Sequence, residues 1–402
     1  MSVIFDRSQG VRPLPRPAHF PFIDPRLHAT NPRINVLMVS ALITMPYRVM
    51  RVAEAAGGNV YVLGSAKSKG LRYSRYCERF VSTRRPMAGL RDFELAAEIN
   101  RYVADFDIKM VLPGDAEATR SILAINDLLD APCFPAPDLE QFDYLNNKWH
   151  FTNLCRSLGV LCPTTWLLRD AGALSAMLDS GEIPLPAIAK PLNQDGGLGV
   201  VRIDAANSRA QIRNIGYAPI LVQELIDGAD IGASVYCEGG NIKAFIAHQL
   251  RRATYYTLDQ PCILSTLTRI VQHLKCDGVF NFDMRLAPNG NVYYLECNPR
   301  LFFKISLSML AGINFIKYGF GAAPDAYKPQ LTGNVRLPKA LALAMLTPWR
   351  ISKRDLRALW HLWGDPISYL REAFGIDSED HEEAAKTRHF PELRDLYQSE
   401  LS

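Results

Sequence analysis

No stretch of the chain approaches the ~18 consecutive apolar residues of a membrane-spanning helix, so no helical span and no membrane partner are expected. The first residues, Met1 to Pro25, are rich in proline and arginine and carry no apolar signal core, which argues against secretion. None of the eight cysteines (77, 133, 155, 162, 237, 262, 276 and 297) stands in a C-x-x-C pair. They read as reduced core thiols of a cytoplasmic protein rather than as disulfides. An excess of one charge is also missing: 45 Lys and Arg against 41 Asp and Glu leave +4 over 402 residues. So weak a balance gives no reason to expect nucleic acid or an anionic membrane, although a local basic cleft for phosphate is compatible with it. Internal repeats, low-complexity tracts and a Ser-His-Asp or Cys-His pattern are absent as well. What remains, at 48% hydrophobic and 21% charged, is the composition of an ordinary globular protein. Its length suits two or three domains with a large core.

Residues 1–33 are irregular and read as an arm. From 34 to about 140, apolar runs alternate with helical periodicity. Ile34–Val39, Val60–Leu63 and Ile108–Leu112 read as strands. Helices carry Val49, Val52, Ala53 and Ala56, then Ala96, Ile99 and Val103, then Ile122, Ile125 and Leu129. Alternation at this spacing predicts a parallel sheet with right-handed crossovers. Ligands of such sheets bind beyond the carboxyl ends of the strands. The loops at Ser40-Ala41 and at Gly114 to Glu117, with Asp115 and Glu117, lie there. They serve either substrate contact or simple connection. From 141 to 324 the pattern becomes α+β with antiparallel strands at 187–190, 200–203 and 220–224. A strongly amphipathic helix carries Ile263, Leu267, Ile270 and Leu274. Residues 325–402 read as mostly helical, with apolar stretches at 341–346 and 356–363 and a charged stretch at 377–386.

The most telling segment runs from Phe280 to Arg300. Two strand-like runs flank Asn289-Gly290, a strong hairpin signal. A two-residue turn centred there pairs Ala287 with Val292 and, further along, Asp283 with Glu296. Directly opposed side chains have Cβ atoms roughly 5 Å apart, and like charges at that distance repel. Two carboxylates so placed call for a cation. Mg²⁺ is commonly held by one or two carboxylates together with substrate phosphates. Asn281 and Asn298 share the face and offer further oxygens, and Arg285 lies on it too.

Upstream, Asp195-Gly196-Gly197-Leu198-Gly199 separates two strands. Glycines let backbone N–H groups approach an anion, although a plain hairpin loop has the same composition. Lys190, at the end of the preceding strand, can reach the same anion. Lys148 is a second candidate, or by itself a solvated lysine. Gln223-Glu224-Leu225-Ile226 runs into a loop before Asp230. Its backbone suits a base edge, and the acid suits ribose hydroxyls.

In this order the pieces resemble the ATP-grasp superfamily over roughly residues 34–320. The carriers are Asn147-Lys148, Ala189-Lys190-Pro191, Asp195 to Val200, Val222 to Asp230, Asp283 and Glu296-Cys297-Asn298-Pro299-Arg300. The last motif, with Ser306, Ser308 and Ala311-Gly312, resembles the carbamoyl-phosphate synthetase and biotin carboxylase branch. The resemblance implies a Rossmann-like α/β domain at 34–140, an ATP-grasp fold of two α+β subdomains at 141–324, and a helical extension at 325–402. It implies a carboxylate–amine ligase: ATP phosphorylates a small-molecule acid, and an amine displaces the phosphate to give an amide. The implied cofactors are ATP and one or two Mg²⁺ ions, with Mn²⁺ an alternative.

By the same resemblance Lys148 and Lys190 hold phosphates, and the loop from Asp195 to Gly199 closes over them. Gln223, Glu224, Leu225 and Ile226 bind the nucleotide, Glu224 and Ile226 through main-chain groups on the adenine, and Asp230 takes the ribose. Asp283, Glu296 and Asn298 hold metal. Arg300, Arg285 and Lys190 serve catalysis, and His248 and Arg251 lie where relatives meet the acyl substrate. Two departures stand out. Asp230 replaces the usual Glu, and Leu301 to Ile305 is more apolar than the Ser-rich family segment, which bears on the substrate. A kinase that stops at the phosphorylated product, a bicarbonate-using enzyme, a nucleotide sensor and a homodimeric assembly stay open as alternatives.

Overall fold

In the computed structural model the described residues are 33–194, 196–206, 208–321, 334–337 and 351–374. The expected arm and the stretches at 341–346 and 377–386 lie outside them.

Four strands, β1 (Ile34–Ser40), β2 (Gly58–Gly64), β3 (Cys77–Ser82) and β4 (Met110–Pro113), form a parallel sheet in the order β3-β2-β1-β4. Side chains alternate across it. Val36 and Met38 enter one core with Val49 and Val52 of helix Thr44–Ala55; Leu37 and Val39 enter another with Leu95, Ile99 and Ile122. Covering both faces is what makes such strands read as continuous apolar runs. The edge strand β3 escaped the sequence reading because Cys-Glu-Arg-Phe-Val-Ser is half exposed and lacks that run. The helix expected through Leu129 ends at Ala124. A short 3₁₀ turn, Asn126–Leu128, follows, as suits Asn-Asp with its local backbone bonding.

A second sheet, antiparallel, holds β5 (Thr165–Leu168), β6 (Ala187–Lys190), β7 (Val201–Ile203) and β8 (Ile220–Glu224) in the order β5-β8-β6-β7. Ala187, Ala189, Ile220 and Val222 point into its core against Leu174 and Ile212. Alternation therefore turns Lys190, Leu221 and Gln223 to the opposite face.

The third sheet is also antiparallel: β9 (Ala229–Glu238), β10 (Asn241–Arg251), β11 (Thr254–Leu258), β12 (Gly278–Leu286), β13 (Val292–Asn298) and β14 (Val335–Arg336), in the order β13-β12-β9-β10-β11-β14. One face is apolar. Ile231, Ala233, Val235, Phe280, Phe282 and Met284 pack there against Phe151 and Leu154 of helix Lys148–Ser157 and Ile263, Leu267 and Ile270 of helix Pro261–Leu274. On the other face Tyr236, Ala244, Ile246, Tyr255 and Val279 join the core beneath β1 and β2. Polar side chains occupy the same face beyond them.

The β12–β13 turn differs from the expected one. Gly290 N donates to Ala287 O at 2.9 Å and Ala287 N donates to Asn291 O at 2.9 Å. Pro288 and Asn289 thus form a tight turn, and Gly290 follows in the left-handed region at φ +86°. That is a three-residue loop, to which Pro at the first central position is well suited. The longer loop shifts the pairing by one, to Leu286 with Val292 and Met284 with Tyr294. A bulge at Leu295 then restores Asp283 opposite Glu296 and Asn281 opposite Asn298.

Helices Lys353–Trp363 and Pro366–Phe374 follow. Asp365, between them, accepts from Ser74 Oγ at 2.6 Å and from Arg75 N at 3.1 Å.

Candidate active site

Register places four positions in one row across the third sheet: His248, Gly232, Asp283 and Glu296. Directly opposed residues point to the same face, so the two carboxylates meet as expected. The next row holds Ser234, Asn281 and Asn298. Asp283 accepts from Asn298 Nδ2 at 3.2 Å and Asn281 Nδ2 at 3.5 Å, and Asn281 Oδ1 accepts from Ser234 Oγ at 3.0 Å. Asn298 Oδ1 accepts from Arg300 at 2.7 Å, which fixes the buried guanidinium beside the pair; Asn146 Oδ1 is a second acceptor at 3.4 Å.

Two buried lysines face these acids. Asn147 caps helix Lys148–Ser157 by accepting from Trp149 N, and so aims Lys148 at the sheet from the first turn. Lys148 Nζ lies 3.2 Å from Glu296 Oε2 and donates to Gln194 O at 2.6 Å. One ammonium thereby ties the glycine loop to the carboxylate pair. Lys190 ends β6 and is buried with it. Burial, partly offset by the charge of Glu296 and reinforced by that of Lys148, lowers Lys190 to about 8. Burial and the charge of Glu296 raise Asp283 above the usual carboxyl range. Burial acts on Glu296 in the same sense, but the charges of Lys148 and Lys190 outweigh it and hold Glu296 low. One acid thus stays ionised while its neighbour readily takes a proton.

Gly196 and Gly197 are exposed, with φ of +67° and +77° and open space where a Cβ would stand. Leu198 is half-buried. Gly199 is anchored: Pro191 lies under it, and Tyr217 Oη donates to its carbonyl at 2.8 Å. The loop is held at one end and open in the middle. Asp195 lies outside the described residues.

At the end of β8, Gln223 is buried and donates to Thr165 Oγ1 at 3.2 Å, while Leu225 and Ile226 are half-buried. The Glu224 carboxylate accepts from Thr164 Oγ1 at 2.9 Å, and its main-chain N–H donates to Thr164 O at 2.9 Å. Arg285 does not join Arg300. It donates to Ile226 O at 2.9 Å and to Asp230 Oδ1 at 2.5 Å, so it braces the loop after β8 against β9.

Three expected substrate residues stand elsewhere or are engaged. Arg251 is exposed at the end of β10, and its odd offset from His248 puts it on the other face. Asp115 accepts from Ala41 N at 2.8 Å, Leu42 N at 2.9 Å and Ala118 N at 2.9 Å. Its carboxylate is the staple between the ends of β1 and β4. Glu117 is half-buried in the first turn of helix Ala116–Ala124.

Sequence reasoning overlooked Lys304, which precedes helix Ile305–Leu310 and whose charge acts on both Asp283 and His248. It also overlooked Gly232 and Tyr217. The apolar run Leu301 to Ile305 is explained by packing: Leu301, Phe302 and Ile305 belong to the core under β1 and β2, and only Phe303 is exposed, beneath the guanidinium of Arg48.

Two like carboxylates facing one another at a buried spot, with amide groups beside them, fit a hard cation. Among the described residues no cluster of three or more His, Cys, Asp or Glu gathers elsewhere to hold a metal.

Residues 217–340 match the family model described as ATP-grasp in the biosynthetic pathway with Ter operon. Comparison with curated proteins gives no match. Among solved structures, an L-amino acid ligase from Bacillus licheniformis superposes with a TM-score of 0.55 at 19% identity, covering 74% of this chain and 75% of that one. The biotin carboxylase domain dimer of 2-oxoglutarate carboxylase from Hydrogenobacter thermophilus, in complex with MgADP, ADP and bicarbonate, gives 0.56 at 14%, covering 75% and 73%. The ADP complex of an N5-carboxyaminoimidazole ribonucleotide synthetase gives 0.60 at 11%, covering 79% and 86%. Shared architecture and the match over 217–340 together give this chain the ATP-grasp fold.

Proposed function

We propose that the protein is an ATP-dependent ligase that activates a small-molecule carboxylate as an acyl phosphate and couples it to an amine. The observation that carries this reading is Lys148, whose ammonium bridges Glu296 and the carbonyl of Gln194. The glycine loop, the lysine and the acid pair therefore meet at one point, between the face of the second sheet that bears Lys190 and the polar face of the third. The L-amino acid ligase, the biotin carboxylase domain with MgADP and the synthetase with ADP share this architecture, which supports a nucleotide in the same cleft.

In this reading Lys148 and Lys190 bind the ATP phosphates. Arrival of that negative charge restores the full positive charge of Lys190, which burial alone disfavours. The main chain of Glu224 to Ile226 receives the adenine, and Asp230, braced by Arg285, receives the ribose. Asp283 and Glu296 would hold Mg²⁺, which when bound neutralises charge on the phosphoryl group in transfer. Asn298 would join them once its amide turns, because its oxygen now serves Arg300. Arg300 offers a planar fork to the acid substrate or to the transferred phosphoryl group. The open middle of the glycine loop closes over the phosphates and excludes water, which would otherwise consume an acyl phosphate.

The test is a screen of amino acids and other acids, each with and without amines, for stimulated ADP release, with mass analysis of the products. ADP formation is expected to require an acid and an amine together, and Glu296→Gln is expected to abolish it with an unchanged circular dichroism spectrum. Undiminished acid-dependent ADP release by that variant, or a stable phosphorylated product without amine, would sink the ligase assignment.

A further inference from the structure

His248 is fully buried, and neither ring nitrogen has a hydrogen-bond partner. A buried imidazole left this way has lost its water with nothing in exchange, so its polar edge calls for something to meet. The ring is stacked on Tyr255 at 4.5 Å, and Tyr255 Oη is in turn bonded to Ser308 Oγ at 2.9 Å. Its orientation is therefore fixed by packing. The ring also leans in a definite direction. A Cβ on Gly232 would stand 2.7 Å from Cε1 and 2.8 Å from Nε2 of His248. The imidazole edge thus covers the bare backbone of Gly232, whose neighbour on the far side is Asp283. Since neighbouring strands lie about 4.8 Å apart, Nε2 hangs about one strand's width from the strand that bears Asp283. The titratable groups facing it are Tyr255 from β11, Asp283 and Glu296 from the row beyond Gly232, and Lys304 from the segment before helix Ile305–Leu310.

We propose that His248 receives the amine nucleophile of the ligase reaction and takes the proton that its nitrogen sheds as the amide forms. This rests on the ligase reading above. The amine lone pair attacks the carbonyl carbon of the acyl phosphate and the C–N bond forms. The bond from that carbon to the bridging phosphate oxygen breaks, and phosphate leaves with the electron pair. The proton of the attacking nitrogen passes to Nε2, the nitrogen over Gly232, and is released with the products. Neutral imidazole with its hydrogen on Nδ1 has that acceptor free.

The experiment separates the two halves of the reaction. Acid-dependent acyl phosphate is trapped with hydroxylamine, which is largely unprotonated at neutral pH and needs no base, and amide formation is followed on the same samples. His248→Gln is expected to lose amide formation by 100-fold or more, within the usual range for a positioned base. Hydroxamate formation is expected to stay within about 3-fold. Gly232→Ala, which pushes the ring aside without changing it, is expected to give the same split. Imidazole added to His248→Ala is expected to restore part of the amide yield. Equal loss of both activities in the folded variants, or amide formation near the wild-type rate, overturns the role of His248 and leaves the ligase reading standing. Absence of acid-dependent hydroxamate in the wild-type protein overturns the ligase reading and this inference with it.

Discussion

Each charged residue at the site is set by what its neighbours leave uncompensated. Lys190, lowered to about 8, is protonated below that pH and loses its charge above it in the nucleotide-free protein. A ligand that needs the ammonium must then bring a proton with it. ATP affinity is expected to be flat from pH 6.5 to 8 and to weaken by up to about tenfold per pH unit above. Lys190→Arg, which keeps its charge, should remove that slope; calorimetric titration with ATP reads both. Asp283 supplies a second expectation. Burial and then repulsion from Glu296 raise it, so Asp283→Asn relieves both when no cation is present. In EDTA its Tm should equal or exceed that of the wild type, by roughly 2–4 °C for about 1 kcal/mol. The further rise that Mg²⁺ and ATP give the wild type should be lost. The directions of Lys190 and the two carboxylates were legible because places along strands dictate where side chains point, whereas Lys148, at the start of a helix, was singled out only through the resemblance. The bond from Arg285 to Asp230 was not, because it depends on how β12 lies beside β9, two segments more than fifty residues apart.

At the scale of elements, the hairpin shows what sequence pattern reads and what it misses. Asn289-Gly290 marks the turn, yet Pro288 makes it one residue longer than the shortest form. Without the bulge at Leu295 that extra residue would turn Glu296 away from Asp283, because a slip of one reverses every side chain. Both devices have weak signatures: Pro before Asn-Gly is a turn cue, and a bulge has none. The edge strand β3 was missed for the same reason, having no apolar run to announce it. The glycine loop carries its own expectation. Gly197 has φ +77° and no neighbour within 4 Å, so a β-branched side chain there strains the loop without disturbing packing. Gly197→Val should lower kcat/KM for ATP by about tenfold or more, since strain of roughly 1–3 kcal/mol falls on the segment that must close. Tm should fall by no more than that strain implies, roughly 2–4 °C per kcal/mol. Equal activity in the variant would show that the middle of the loop does not reach the phosphates.

For the whole molecule, the question is what holds the C-terminal helices to the first sheet. Asp365 lies between them, is 1% exposed, and accepts from Ser74 Oγ and Arg75 N. Arg51, equally buried in helix Thr44–Ala55, places Nε 3.9 Å from Asp365 and donates to Ser368 Oγ at 2.9 Å. These partners are about 300 positions apart in the chain, so no pattern of spacing announces them. The helix itself was readable from its apolar repeat; its docking was not. Removing one side of a buried ion pair is worse than removing both, because it strands a charge away from water. Asp365→Ala is therefore expected to cost on the order of 3–5 kcal/mol in urea unfolding. A double change, Arg51→Met with Asp365→Leu, should recover a good part of that loss. None of the elements that bear the acid pair and the lysines belongs to this contact, so ATP turnover per folded molecule at 20 °C should stay within about twofold. A loss of turnover without loss of stability would instead tie the C-terminal helices directly to the chemistry, through Arg48 and its 2.6 Å bond to the carbonyl of Phe303 one turn before Arg51.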